Sequence, residues 1–205
     1  MVKKIIIKKN QTLNLKLTVQ DAPQELHIYL HENAQLKQTF FFTGKEQYSF
    51  KQKLLMAGRG AFAKVTGAVI AEKGQNYTIK TEQIHTAPDT HSEFHVYGVL
   101  YEQAVCSYNG LITLEKDSKN AFADQQNKML LMHKTAKALS VPSLQAKHND
   151  LACGHGAAIS YLDKEQLFYL MGRGISEEKA KKLLVNGFIP KGINNTPAVS
   201  SLNLL

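Results

Sequence analysis

Apolar and polar residues alternate along most of this chain. LNLKLTV (13–19) and ELHIYL (25–30) alternate strictly, and AFAKVTGAVIAE, YTIKTEQI, EFHVYGVL, SYNGLITLE and NKMLLMH carry the same texture to about Ile159. Alternation with period two buries one face of each strand, and many short runs broken by Gly, Pro, Asn and Asp predict an all-β domain. A glycine followed by two small or aliphatic residues recurs at Gly67, Gly98, Gly110 and Gly156. Its intervals of 12 and 46 residues fit a coil of about 23 residues and its half, as in a β-solenoid. The 31-residue interval from Gly67 to Gly98 does not fit. Periodicity alone leaves a sandwich or a cupin-like barrel standing beside the solenoid. Residues 13–50 are expected to form the first coils.

The texture changes after residue 161. In DKEQLFYLMGRG, Asp163 is placed to cap a helix with Gln166 as its capping-box partner, and Leu167, Leu170 and Met171 form a helical apolar stripe ending at Gly172 or Gly174. ISEEKAKKLLVNGF restarts with Ser176 as cap, Glu177 and Glu178 at the positive end of the dipole, Ala180, Leu183 and Leu184 facing inward, and Gly187 as the stop. The division is thus a β core over 1–161, a helix pair over 162–190 and a loosely ordered tail over 191–205.

Composition narrows the function. A chain of 205 residues with 43% hydrophobic content supports one real core. No run approaches a membrane-spanning length, and Ile5, Ile6 and Ile7 are too short an apolar run for a secretory signal. Two cysteines, Cys106 and Cys153, do not make a disulfide framework, so a cytoplasmic address is expected. The net charge of +8 invites an acidic partner, but the lysines are spread without interleaved aromatics. The helix turn GRGIS places Arg173 between its glycines, where a nucleic-acid clamp carries a hydrophobic residue. Specific nucleic-acid binding and membrane association are therefore not expected.

No nucleophile elbow, phosphate loop, zinc spacing or H-E-x-x-H occurs, so the chain is expected to be non-catalytic. Two constellations remain. In ACGHGAAI (152–159), Cys153 and His155 stand two apart and share a strand face. If that face is outward, a thiolate and an imidazole can present soft-to-borderline metal ligands to a second chain; otherwise both are ordinary structural residues. His85, His91 and His95 could instead build a cupin-like metal centre, although the expected H-x-H is missing. Cys106 is expected in the core, and His133 and His148 in solvent or loop caps.

The stretch CGHGAAISYLDKEQLFYLMGRGISEEKAKKLLVNGF resembles the C-terminal signature of the SufB/SufD family, the scaffold proteins of SUF iron–sulfur cluster assembly, through Asp163, Glu165-Gln166, Phe168-Tyr169-Leu170, Arg173-Gly174-Ile175, Ala180, Leu183-Leu184 and Gly187-Phe188. HTAPDTHSEFHVYGVL, YNGLI and QQNKMLLMHKTAKALSVPSLQAKHND resemble further family runs, so the likeness covers about residues 60–190. It implies a right-handed parallel β-helix with a small C-terminal helical hairpin, shortened at the N-terminus. It implies dimers, homodimeric or with a SufB-like chain, and docking of a SufC-like ATPase through Phe168, Tyr169, Arg173, Gly174 and Ile175. The expected cofactor is a transient iron–sulfur cluster, with none tightly bound, and His155 and Cys153 as its candidate ligands. A reduced member that dimerises without cluster chemistry is the remaining alternative. Where SufB carries a cysteine, Gln125-Gln126-Asn127-Lys128 has no thiol, and Gly154-His155-Gly156 lacks SufB's flanking carboxylates, so the chain is SufD-like. Contact between subunits is expected near Leu111, Met129 and His155.

Overall fold

The computed structural model describes residues 2–194. Strands β1 (Val2–Ile7), β3 (Glu25–Leu30), β5 (Gln47–Met56), β7 (Asn76–His85), β9 (Val105–Leu114) and β11 (Lys137–Ala146) form one sheet in that order. Strands β2 (Thr12–Thr18), β4 (Gln35–Phe42), β6 (Phe62–Ala71), β8 (His91–Leu100), β10 (Ala121–Leu131) and β12 (Leu151–Tyr161) form the other. Every pairing is parallel. Each coil contributes one strand to each sheet, which is a two-sheet parallel β-solenoid. The barrel and sandwich alternatives fall.

The coil begins earlier than expected, at Val2, and is longer than the glycine spacing suggested. Val2 pairs with Glu25, 23 residues on, but Gln35 pairs with Phe62, 27 on, and Val105 with Lys137, 32 on. The glycines mark something else. The Phe40 ring lies directly over Gly67 and the Gln125 amide over Gly110, leaving no room for a Cβ at either place. The period sits instead in one corner of the coil. Asn10, Asn33, Gly60, Asp89 and Asn120 all have positive φ, between 53° and 70°, a conformation open to Asn, Asp and Gly. Each donates its backbone N–H to a carbonyl of the next coil: Glu32, Arg59, Pro88, Lys119 and Asp150 respectively.

The interior changes character along the axis. Toward the N-terminus it is aromatic: Phe40 stacks on Phe42 at 4.8 Å and Phe42 meets Phe50 edge-on at 5.0 Å, pairs worth about 0.5–1.5 kcal/mol each beyond area burial. Gln38 and Gln52 are buried here but exchange two amide hydrogen bonds of 2.7 Å. From β7 onward, Gln83, His85, Thr90, Ser92, Gln125 and Asn127 are buried.

Helices α1 (Lys164–Gly172) and α2 (Glu177–Phe188) follow β12, then the short α3 (Lys191–Asn194). Asp163 caps α1 by accepting from the Glu165 and Gln166 amides, and Ser176 caps α2 through Lys179 N–H. Val185, Ile189 and Ile193 pack on Phe41, Ala68, Ile70, Val99 and Leu130 of the second sheet, each buried aliphatic contributing about 1.5–3 kcal/mol. Two expectations change. Leu183 is exposed, with Val185 taking its buried place beside Ala180. Position 191 starts a helical turn rather than a loose tail, while 195–205 lie outside the described residues. Helix α1 buries no residue.

Candidate functional site

Strand β12 is the last rung of its sheet, and β11 is the last rung of the other. Cys153 pairs with Ala123, His155 with Gln125, Ala157 with Asn127 and Ile159 with Met129, all four partners being buried. Cys153 and His155 therefore do share a face, but it is the inward one, not the outward one. They reach the surface because no further strand covers the lumen among the described residues. Cys153 is half-buried against Ile112, Leu114, Ala121 and Ala123, and burial pushes its thiol pKa up. His155 is exposed. Met129 lies wholly in the core and cannot touch a partner, whereas Leu111 is partly exposed on the outer face of β9.

Backbone groups on the two terminal edges differ. Lys137 and Lys147 donate their N–H groups to Ala104 and Leu114, so the alternation of a parallel ladder turns even-numbered groups of β11 outward. Pro142 is one of these, and it breaks that edge because it has no N–H. Leu162 N–H goes to Leu131, so in β12 the odd-numbered groups, including those of Cys153, His155, Ala157 and Ile159, line an unbroken edge. No Asp, Glu, Lys or Arg occurs in Leu151–Tyr161. Leu139, Val141, Leu144, Ile159 and Tyr161 are exposed beside it.

Behind this end runs a directed chain of buried hydrogen bonds. Ser92 Oγ–H donates to Gln83 Oε1 at 2.7 Å, so its oxygen accepts from His85 Nε2–H at 2.8 Å. His85 Nδ1 then accepts from Thr90 Oγ1 at 2.7 Å, shorter than Thr90's 3.1 Å contact to the Ala87 carbonyl. Gln83 Nε2 continues to Gln125 Oε1 at 3.4 Å. Burial, and secondarily His91, lowers the His85 pKa to about 4, so the ring is neutral.

The three-histidine centre does not form. His85 faces the lumen from β7, whereas His91 and His95 face outward on the opposite sheet. His91 is stacked between Phe62 and Phe122 and bonds Glu93 at 3.1 Å; His95 bonds Asp124 at 2.7 Å. Among the described residues, no three His, Cys, Asp or Glu side chains gather in metal-binding geometry. Cys106 is buried as expected; His133 bonds Thr135 and His148 bonds Ser118 in loops. Phe168 and Tyr169 stand 77% and 57% exposed on α1, with the Arg173 guanidinium 4.3 Å from the Tyr169 ring. Gly174 has φ +82° and ends that helix, leaving Ile175 partly buried at the turn. The lumen residues Gln83, Gln125 and Asn127 were missed; polar side chains at inward positions of an alternating strand were their signal.

The family model described as SUF system FeS cluster assembly, SufBD core domain, matches residues 5–188. The chain belongs to the SufBD core family. Relatives named SufD and SufB both resemble it. It is 29% identical over 140 residues to the iron-sulfur cluster assembly protein SufD of Bacillus subtilis, covering 68% of this chain and 32% of that protein. It is 30% identical over 135 residues to SufB of the same organism, covering 66% and 29%. A SufBD family protein of Staphylococcus epidermidis is 27% identical over 161 residues, covering 78% and 35%. The chain thus spans about a third of the length of the curated relatives it matches. No helix among the described residues is long and apolar enough to cross a membrane.

Proposed function

We propose that this SufBD core is a non-catalytic, cytoplasmic scaffold for iron–sulfur cluster assembly. In this reading it is SufD-like and joins a second β-solenoid, its own copy or a SufB-like chain, through the open end at β11 and β12. The observation that carries the reading is the uncharged, unbroken β12 edge with His155 exposed on it. Native proteins usually guard exposed strand edges with charge, Pro or bulges, and β12 has none of these. An imidazole and a thiol are suitable donors to iron. Two donors cannot hold a cluster, so the remaining ligands come from the second chain, and the nascent cluster is cargo rather than a tightly bound cofactor. Phe168, Tyr169, Arg173, Gly174 and Ile175 supply the surface for a SufC-like ATPase, since α1 exposes apolar rings that nothing in this chain covers among the described residues.

The test is anaerobic co-purification of the tagged chain from its own cells, with iron and sulfide measured. An ATPase and a SufB-like chain recovered with iron and sulfide support the scaffold. His155→Ala should then fold normally and lose the iron and sulfide, and Phe168→Ala should lose only the ATPase. A lone dimer without iron, sulfide or ATPase would overturn the cluster role and leave a member that keeps only the fold and the pairing.

A further inference from the structure

Three buried polar atoms without a hydrogen-bond partner lie under the open end: Gln125 Nε2, Asn127 Oδ1 and Ser140 Oγ. Each unmet buried group costs about 1–3 kcal/mol, so a cluster of them at one end of a lumen marks a place where a partner group belongs. Gln125 and Asn127 are fully buried. Both amides turn one atom back along the axis, Gln125 Oε1 to Gln83 and Asn127 Nδ2 to the Val96 carbonyl at 3.2 Å. That leaves an unpaired donor on Gln125, beside Gly110 of β9, and an unpaired acceptor on Asn127.

We propose that Asn127 is a positioning residue for His155: its Oδ1 accepts the N–H of one imidazole nitrogen and so leaves the other nitrogen's lone pair for iron. This rests on the reading of His155 as a ligand. A ligating imidazole almost always donates its second N–H to an acceptor, which fixes tautomer and ring orientation. Gln125, directly in register with His155, offers only a donor and cannot serve; Asn127 offers the acceptor. Asn127 is in register with Ala157, two residues beyond His155 on the same face, and Ala157 leaves only a methyl group in the way. A strand spacing of about 4.8 Å and a two-residue rise of about 6.6 Å put the diagonal backbones about 8 Å apart. A histidine and an asparagine meeting through one hydrogen bond span that distance after a side-chain rotation of His155.

The test is the tautomer of neutral His155, read from imidazole nitrogen shifts of the ¹⁵N-labelled full chain. The expected result is a single tautomer in the wild type, a mixture in Asn127→Ala, and recovery of the single tautomer in Asn127→Asp, which keeps the acceptor. A mixture in the wild type overturns the proposal without any variant, so failure of Asn127→Ala to fold does not rescue it. A single tautomer that persists in a folded Asn127→Ala also overturns it. So does an Asn127 side-chain amide signal unmoved by His155→Ala, the mark of a water bridging to Ser140 instead. If the tautomer responds to Asn127 while His155→Ala retains iron and sulfide, the positioning stands and the ligand role of His155 falls.

Discussion

The two ends of the solenoid are built to opposite rules. At the N-terminal end, β1 carries Lys3 and Lys4 and β2 carries Lys16. Lys3 is in register with buried Leu26, so it stands at an inward position; an inward charge on an edge strand blocks another strand from adding. Behind this end the core is aromatic. At the C-terminal end, β12 has no charge, apolar side chains are exposed, and Gln125 and Asn127 stand among the apolar side chains of the core behind. A charged rim over a largely apolar core reads as a guarded edge. A neutral rim over unpaired buried amides fits the joint proposed above.

The largest expected effect separates the two cores. Phe40→Ala removes a fully buried ring from the aromatic half and should lower the unfolding free energy by about 3–5 kcal/mol in denaturant titration. A smaller effect belongs to the polar half. The folded His85 pKa, about 4, is depressed by burial below the ordinary histidine value of 6.5, so the folded state binds fewer protons than the unfolded one. Its contribution is intact above pH 6.5 and is lost as pH falls toward 4, by about 3 kcal/mol at 1.36 kcal/mol per pKa unit. His85→Gln should flatten that part of the pH–stability curve. The smallest effect on folding, and the sharpest on the comparison, comes from exchanging the rims. Ile159→Lys should change stability by no more than about 1 kcal/mol while weakening self- or partner association about tenfold or more in sedimentation. Lys3→Ile should create association through β1, read by the same sedimentation measurement. If Ile159→Lys leaves association intact, β12 is not the joint.

Much of this was legible in sequence. The alternation in β2, β3 and β6–β9 and the caps Asp163 and Ser176 are local signals, and local physics settles them. The coil length was not legible from glycines, because Gly67 and Gly110 answer to large side chains crossing the lumen rather than to position in the coil. Asn10, Asn33, Asp89 and Asn120 hold the true period, and each looks like an ordinary turn residue until the next coil's carbonyl is known. Strand β11 was obscured by Pro142, which is tolerated because its missing N–H faces the open edge. At the site, spacing showed that Cys153 and His155 share a face; it could not show that the face is inward, since flanking glycines carry no polarity.

Strand length has a consequence of its own. Strands grow from six and seven residues in β1 and β2 to ten and eleven in β11 and β12, so the solenoid is a tapered body. Stacked narrow end on broad end, copies would set a six- or seven-residue rung against one of ten or eleven, stranding several backbone groups at every junction. Like ends match in length, broad on broad or narrow on narrow, and the inward Lys3 guards the narrow one. A broad-on-broad pairing leaves only the charged narrow ends free. The taper thus disfavours head-to-tail stacking: a shape whose unlike ends do not fit one another.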